Sequence, residues 1–155
     1  MACQTCRALA DEIVLTDAPR VDLDDHWRVE HCYPVAVTGW LVLVLRRHAR
    51  ALHDLTDDEA ASLGHWLPAV ARALHAATDS EVEYVMQFAE SAGFQHVHFH
   101  LVARPPDWPD DLQGPGVWAA FGVPNPVSSS KTTGVMEALA LHLGLSPQPS
   151  GPLHS

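Results

Sequence analysis

Three histidines stand at alternate positions in Phe94-Gln95-His96-Val97-His98-Phe99-His100-Leu101-Val102-Ala103-Arg104, with apolar residues between them. That period of two is a strand period, so His96, His98 and His100 share one face while Val97, Phe99 and Leu101 point into a core. Sheet stability alone gives no reason to set three polar imidazoles side by side, so at least one is expected to bind a metal or to react. A neutral imidazole is available near pH 7 and attacks electrophilic phosphorus, giving a labile phosphoramidate that water later cleaves. His98 can act in this way if its ring nitrogen far from the phosphorus donates a proton to a backbone carbonyl and leaves the near lone pair exposed. His100, two residues on, can donate hydrogen bonds to phosphoryl oxygens or protonate the leaving group. Arg104 is a candidate for neutralising phosphate charge or, equally, one half of a surface ion pair.

Metal chemistry has two routes. Cys3-Gln4-Thr5-Cys6 has the spacing of half a zinc site, although a redox pair or two idle thiols look the same. Tetrahedral closure needs two more donors. His48, at the end of an apolar strand, and His96, nearest the start of its own, supply them if those strands are antiparallel neighbours whose ends meet. By itself His48 reads equally as a solvated rim residue. Such a Cys2His2 site has no open position and is structural. The rival site, His96, His98 and His100 around a catalytic water, is disfavoured because its outer two ligands lie about 13 Å apart along an extended strand.

These residues need elements to hold them. Trp27, Val29, His31 and Tyr33 alternate with polar partners and predict a half-buried strand that stops at Pro34. Gly39 opens Trp40-Leu41-Val42-Leu43-Val44-Leu45, apolar on both faces and so a central strand, ending abruptly in Arg46-Arg47-His48. Residues 3–15 read as a thiol-bearing turn leading into a short helix or strand, followed by a break at residues 17–20. Thr56 and Glu59 form a capping box, with Asp57 and Asp58 in the first turn, and Leu63, Leu67, Val70 and Leu74 mark one face of the helix that follows. Pro68 predicts a kink near residues 64–68, with continuation to about Ala77. Val82, Tyr84, Met86 and Phe88 make the apolar face of a further strand, and residues 90–93 a hairpin-like link to the histidine strand, which makes the two antiparallel neighbours.

Nine proline and glycine positions make residues 105–131 an irregular segment, yet Trp108, Trp118 and Phe121 give it reason to pack, and it is expected to cover or complete a substrate pocket. Thr132 or Thr133 is expected to cap a last helix carrying Met136, Leu139 and Leu143, with Gly144 as its stop. The expected organisation is one domain over residues 1–144, with a disordered tail over residues 145–155. At 155 residues the chain can bury a real core. Its net charge of -10, from 19 acidic and 9 basic side chains, argues against nucleic acid as the main partner, leaving room for a small phosphate ligand held by local groups. The longest apolar run is too short to span a bilayer and the acidic start has no signal-peptide pattern, so a cytoplasmic protein is expected.

The stretch His96-Val97-His98-Phe99-His100-Leu101-Val102 resembles the histidine triad signature. The resemblance extends to Gly39-Trp40-Leu41-Val42-Leu43-Val44-Leu45-Arg46-Arg47-His48 and to Leu55-Thr56-Asp57-Asp58-Glu59, and covers roughly residues 1–104. It implies an α+β fold, with an antiparallel sheet of about five strands, two main helices and commonly an edge-to-edge homodimer. It also implies hydrolysis or transfer of nucleoside monophosphates from phosphoramidates, dinucleoside polyphosphates or nucleotide sugars. His98 would then be the nucleophile, forming a nucleotidyl-histidine, and His100 would bind phosphate and steer the leaving group. In zinc-bearing branches the corresponding ligands are Cys3, Cys6, His48 and His96, the set already reached by spacing. Three departures stand out. Trp40 replaces a frequent histidine, the usual asparagine is missing where Glu30, His31 and Cys32 stand, and Gln87 and Gln95 are only candidate phosphate contacts. The alternative is a nucleotide-binding regulatory protein with little or no turnover, or, more distantly, a purely structural zinc protein.

Overall fold

The strand that is apolar on both faces lies at the centre of the sheet. In the computed structural model, which describes residues 2–151, β3 (Trp40–Leu45) pairs with β2 (Trp27–His31) on one side and β5 (His98–Arg104) on the other. The outer strands are β1 (Val21–Asp22), against β2, and β4 (Val82–Met86), against β5, so the order is β1-β2-β3-β5-β4 and every pair is antiparallel. The sheet is therefore five-stranded, as expected. Its fifth member is the two-residue β1, too short to carry any periodicity that could be read.

The two faces of the sheet have different jobs. Leu41, Leu43, Leu45, Val97, Phe99 and Leu101 join Trp27 and Val29 in the main core, which α2 (Asp57–Thr78) and α3 (Ser129–Leu143) cover with Val70, Leu74, Met136 and Leu139. Trp40 and Val102, on the opposite face, form a smaller core with Cys32, Val35, Val37, Val117 and Ala120. The strand Trp27–His31 was expected to be half-buried and is covered on both faces: Arg28 is only 3% exposed, held by Asp22 at 2.8 Å. Gly39 is required where β3 starts, because a Cβ there would lie 2.7 Å from that of Ala103.

The capping box forms as read. Glu59 N donates to Thr56 Oγ1 at 3.2 Å and Thr56 N to Glu59 Oε2 at 2.9 Å. Glu59 also accepts from Arg47 Nε and Nη2, both at 2.8 Å, which ties the start of α2 to the end of β3. The Arg47 guanidinium holds the Glu59 carboxyl down to about 2. Pro68 does not stop α2, which runs on to Thr78. Gly64, whose carbonyl loses its amide partner there, is exposed and open to water.

Four expectations need correction. The link between β4 and β5 is not a short turn at residues 90–93 but the whole of residues 87–97, because Phe88 stays 58% exposed instead of extending the ladder. Residues 105–131 are not wholly irregular: 3-10 turns form at Asp110–Leu112 and Gly114–Ala120, Phe121 bridges to Val35, and α3 already begins within the segment. Gly116 belongs to this packing, since a Cβ would fall 2.1 Å from the Asp111 carbonyl. The last helix starts after Ser128, which makes no side-chain capping hydrogen bond, and not after Thr132 or Thr133; Thr132 lies one turn in, with Oγ1 donating to Ser129 O at 3.0 Å, and Gly144 ends the helix in the left-handed region. The tail is tethered through residue 151: Leu145 packs on the core, and Gln148 exchanges both backbone hydrogen bonds with Arg20. Residues 152–155 of the expected tail lie outside the described residues. Among the described residues no helix is long and apolar enough to cross a membrane.

Candidate functional site

The short helix α1 (Gln4–Leu9) brings its thiols to the ends of β3 and β5. Cys3, Cys6, His48 and His96 each offer one donor atom, and all four atoms lie within 4.8 Å of one another. His96 Nδ1 is 3.6 Å from Cys3 Sγ, 3.5 Å from Cys6 Sγ and 3.3 Å from His48 Nδ1, and Cys6 Sγ is 3.2 Å from His48 Nδ1. A tetrahedral ion with zinc bond lengths sets sulfur and nitrogen about 3.5 Å apart and two nitrogens about 3.3 Å apart, so the cluster has the dimensions to coordinate a metal. His96 is fully buried, and its Nε2–H donates to the Leu45 carbonyl at 2.6 Å, which leaves the Nδ1 lone pair facing the cluster. Burial, with the Cys3 thiol next to it, raises Cys6 to about 11. Thiolate ligands at this spot therefore call for a cation among them.

Two residues on, the arrangement is inverted. His98 Nδ1–H donates to the His96 carbonyl at 2.7 Å, so Nε2 keeps its lone pair, and the ring lines a pocket of about 510 Å³ on the sheet face away from α2 and α3. His100 lies beside it, ring centroids 5.0 Å apart. The Trp40 indole N–H, a donor only, points at His100 Nδ1 at 3.0 Å. His100 Nδ1 must then accept, and its proton sits on Nε2. Burial lowers His98 and pushes His100 down to about 4, so both rings are neutral at pH 7.

Val42 and Val44 of β3 form the pocket floor, and α1 and β2 close one end with Ala8, Glu30 and His31. The ring of His31 faces backbone carbonyls at both nitrogens, Cys32 O at 2.7 Å and Thr38 O at 2.5 Å, so it has nothing left for a ligand. The carboxyl of Glu30 is raised by burial. Trp118 and Phe121 close the other end, with centroids 5.1 Å and 6.3 Å from that of His100.

The sequence-predicted residues thus divide. Cys3, Cys6, His48 and His96 converge at one corner, and His98 and His100 meet in the pocket. Gln87, Gln95 and Arg104 do not line it. Arg104 ends β5, about 20 Å along the strand from His98, where its Nη2 holds Glu81 at 2.5 Å. Gln95 accepts from Arg50 at 3.2 Å on the surface, and Gln87 follows the end of β4, ahead of the lining residues Phe88 to Ser91. Trp40 and Glu30 were noted only as departures, and Ser91 was not anticipated in the pocket. Trp40 was findable: it shares strand parity with Val42, the register partner of His100.

A family model described as "HIT domain" matches residues 27–107. No curated protein matches the chain. Among solved structures, a hypothetical histidine triad nucleotide-binding protein from Sulfolobus tokodaii is 15% identical, with 92% of each chain covered and a TM-score of 0.70. A zinc-bound histidine triad family protein from Mycobacterium smegmatis is 18% identical over 91% of this chain and 95% of its own, with a TM-score of 0.66. A HIT-like protein involved in cell-cycle regulation from Bartonella henselae is 19% identical over 90% and 94%, with a TM-score of 0.64. At these identities the likeness is one of fold.

Proposed function

The chain belongs to the histidine triad (HIT) family, and from that premise we propose that it is a nucleotide hydrolase or nucleotidyl transferase, acting at an α-phosphorus through a nucleotidyl-histidine on His98. The observation that carries this reading is the hydrogen bond from His98 Nδ1–H to the His96 carbonyl, which aims a neutral Nε2 lone pair into the pocket. His98 Nε2 forms a bond to phosphorus as the leaving group departs with its electron pair. Water then attacks the same phosphorus and the P–N bond breaks, returning His98. His100 offers Nε2–H as a hydrogen-bond donor to phosphoryl oxygen. Being neutral at pH 7, it acts as a donor of hydrogen bonds more than of protons.

The metal in this reading is zinc, structural, held by Cys3, Cys6, His48 and His96. The donor set and its separations support that choice, as does the zinc-bound relative of the same fold from Mycobacterium smegmatis. When bound, the ion neutralises the thiolates and pins α1 against the entry to β5. Because Thr5, Ala8 and Leu9 of α1 also line the pocket, that pinning shapes the nucleotide site as well. A homodimer joined through the sheet edge is also proposed, supported by Val82 and Val85, which stand 38% and 46% exposed on the edge strand β4. Light scattering would measure its mass.

The decisive experiment is to mix the protein with adenosine 5'-phosphoramidate, quench in base, where a phosphohistidine linkage survives, and find by mass spectrometry an AMP unit on the peptide containing His98. Steady AMP release with no such adduct, undiminished in His98→Asn, would overturn the mechanism. Saturable AMP binding without release would make the protein a nucleotide binder.

A further inference from the structure

The helices cover the sheet face opposite the pocket of His98, and between them, on the solvent side, lies a second groove of about 420 Å³. His65 and Arg72 stand on one stripe of α2, Trp66 beside them, and His142 and Leu143 close the groove from the end of α3. His65, Arg72 and His142 are all exposed. No carboxylate is among the lining residues, although the chain has a net charge of -10.

Arg72 differs from every other arginine. Among the described residues it is the one whose guanidinium makes neither a hydrogen bond nor an ion pair; the others hold a carboxylate or, in Arg50, the Gln95 amide. The acid tied to the groove wall is Asp24, and its oxygens are already taken. They accept from the Trp66 indole N–H at 2.7 Å, from the Ser62 hydroxyl, and from the amides of His26 and Trp27, both at 2.8 Å. The last carbonyls of α3 are likewise occupied, since Ala140 O and Leu141 O accept from Leu145 N at 2.9 Å and Gly144 N at 3.1 Å. His75, the next histidine along α2, is turned to Ser80 O at 2.7 Å and stays outside.

We infer that this groove is a binding site for a phosphate or sulfate group, free or carried on a small organic molecule. The inference is independent of nucleotidyl transfer at His98. His65 and Arg72 lie about 10 Å apart along the axis of α2, so both side chains can reach an anion seated over Ala69 between them, with His142 meeting it from α3. A guanidinium presents a planar fork of N–H groups to two oxygens of a tetrahedral anion, and imidazole N–H groups take the others. The Trp66 ring, 4.8 Å from that of His65 between centroids, has its N–H committed to Asp24. With Leu143 it offers an apolar surface to whatever carries the anion.

The test follows the ring signals of His65 and His142 and the Trp66 indole N–H by NMR as inorganic sulfate is added to the full-length, metal-loaded protein. Sulfate stays a dianion throughout, so any change of affinity with pH reports on the protein. The three signals should shift and saturate together while those of His98 and His100 stay still. Affinity should rise at least about fivefold from pH 8 to pH 6, as the two imidazoles take up protons. That dependence should vanish in the double variant His65→Gln/His142→Gln. Arg72→Gln should weaken binding at least about tenfold. Lys131→Gln removes the same charge near the other end of α3 and should change affinity by less than about twofold. Because the replaced side chains are exposed, these variants leave the core intact.

Phenyl phosphate compared with inorganic phosphate at pH 8 then identifies the source: tighter binding of the ester assigns the groove to an organic phosphate, and equal binding to the free ion. Shifts that never saturate, shifts confined to His98 and His100, or an affinity untouched in Arg72→Gln would overturn the inference. None of these results bears on His98 as a nucleophile, whose own test is the adduct on its peptide.

Discussion

His96 and His98 are two residues apart on one face, both with a ring nitrogen bound to a backbone carbonyl, yet they face different chemistry. In His96 the bound nitrogen is Nε2, on Leu45 O, and the free Nδ1 meets two thiols and an imidazole. In His98 the bound nitrogen is Nδ1, on the carbonyl of His96 itself, and the free Nε2 meets a pocket. The choice of carbonyl decides which lone pair is available, and so separates the proposed metal ligand from the proposed nucleophile without changing the residue type. His100 completes the set from the opposite direction, since a donor on Nδ1 makes its Nε2 carry the proton.

The sharpest way to break the comparison is to remove one member at a time. His98→Asn should lower AMP release by at least about 10³-fold, measured by chromatography, while the metal content found by elemental analysis stays at the wild-type value. If both are lost together, the two corners are not separate devices.

Cys3→Ser should show the converse. Metal content falls and the melting temperature drops by about 5 °C or more in calorimetry. KM rises several-fold because α1 loosens, while kcat stays within about threefold. A kcat that collapses as in His98→Asn would place the cluster in the chemistry.

Trp40→Phe removes the indole N–H and sharpens the third tautomer assignment. Burial holds the folded-state value of His100 near 4, below its unfolded value near 6.5. The stability it contributes is therefore complete above pH 6.5 and is lost as pH falls through about 4. In the wild type, nitrogen NMR should show a neutral ring protonated on Nε2 from pH 8 to 5. In Trp40→Phe, burial keeps the midpoint low, but Nδ1 is free to carry the ring proton, so the neutral ring should shift toward the Nδ1-protonated tautomer and kcat should fall about tenfold. An unchanged tautomer would mean that the indole does not control the ring.

The smallest effect tests the support shared by both corners. Glu59→Gln weakens the paired hydrogen bonds from Arg47, which follows β3 and precedes His48, and should cost about 1–2 kcal/mol in denaturant unfolding while AMP release per folded molecule stays unchanged.

How much of this was legible in the sequence follows from how local each signal is. Histidine alternation, the Cys-x-x-Cys spacing, the apolar run at Trp40–Leu45 and the Thr56/Glu59 box are short-range patterns, and each is found as read. Gln95 and Arg104 lie outside the pocket lining because a polar side chain near a signature has many partners to choose from, and here they pair with Arg50 and Glu81. Trp118 and Phe121 were read as pocket cover on composition alone. Their approach to His100 depends on the bridge between Phe121 and Val35, a long-range pairing with no trace in sequence spacing. The start of α3 was misplaced because residues 128–133, Ser-Ser-Ser-Lys-Thr-Thr, offer several equivalent caps.

The acceptor that orients His98 is a main-chain oxygen, and every amino acid supplies one. A descendant of this chain can therefore exchange His96 for another side chain, lose the cysteine–histidine cluster and still hold His98 with Nε2 turned toward the pocket. A cluster of donors at this corner can thus come and go by ordinary point mutation, with the orientation of the His98 ring passed down unchanged.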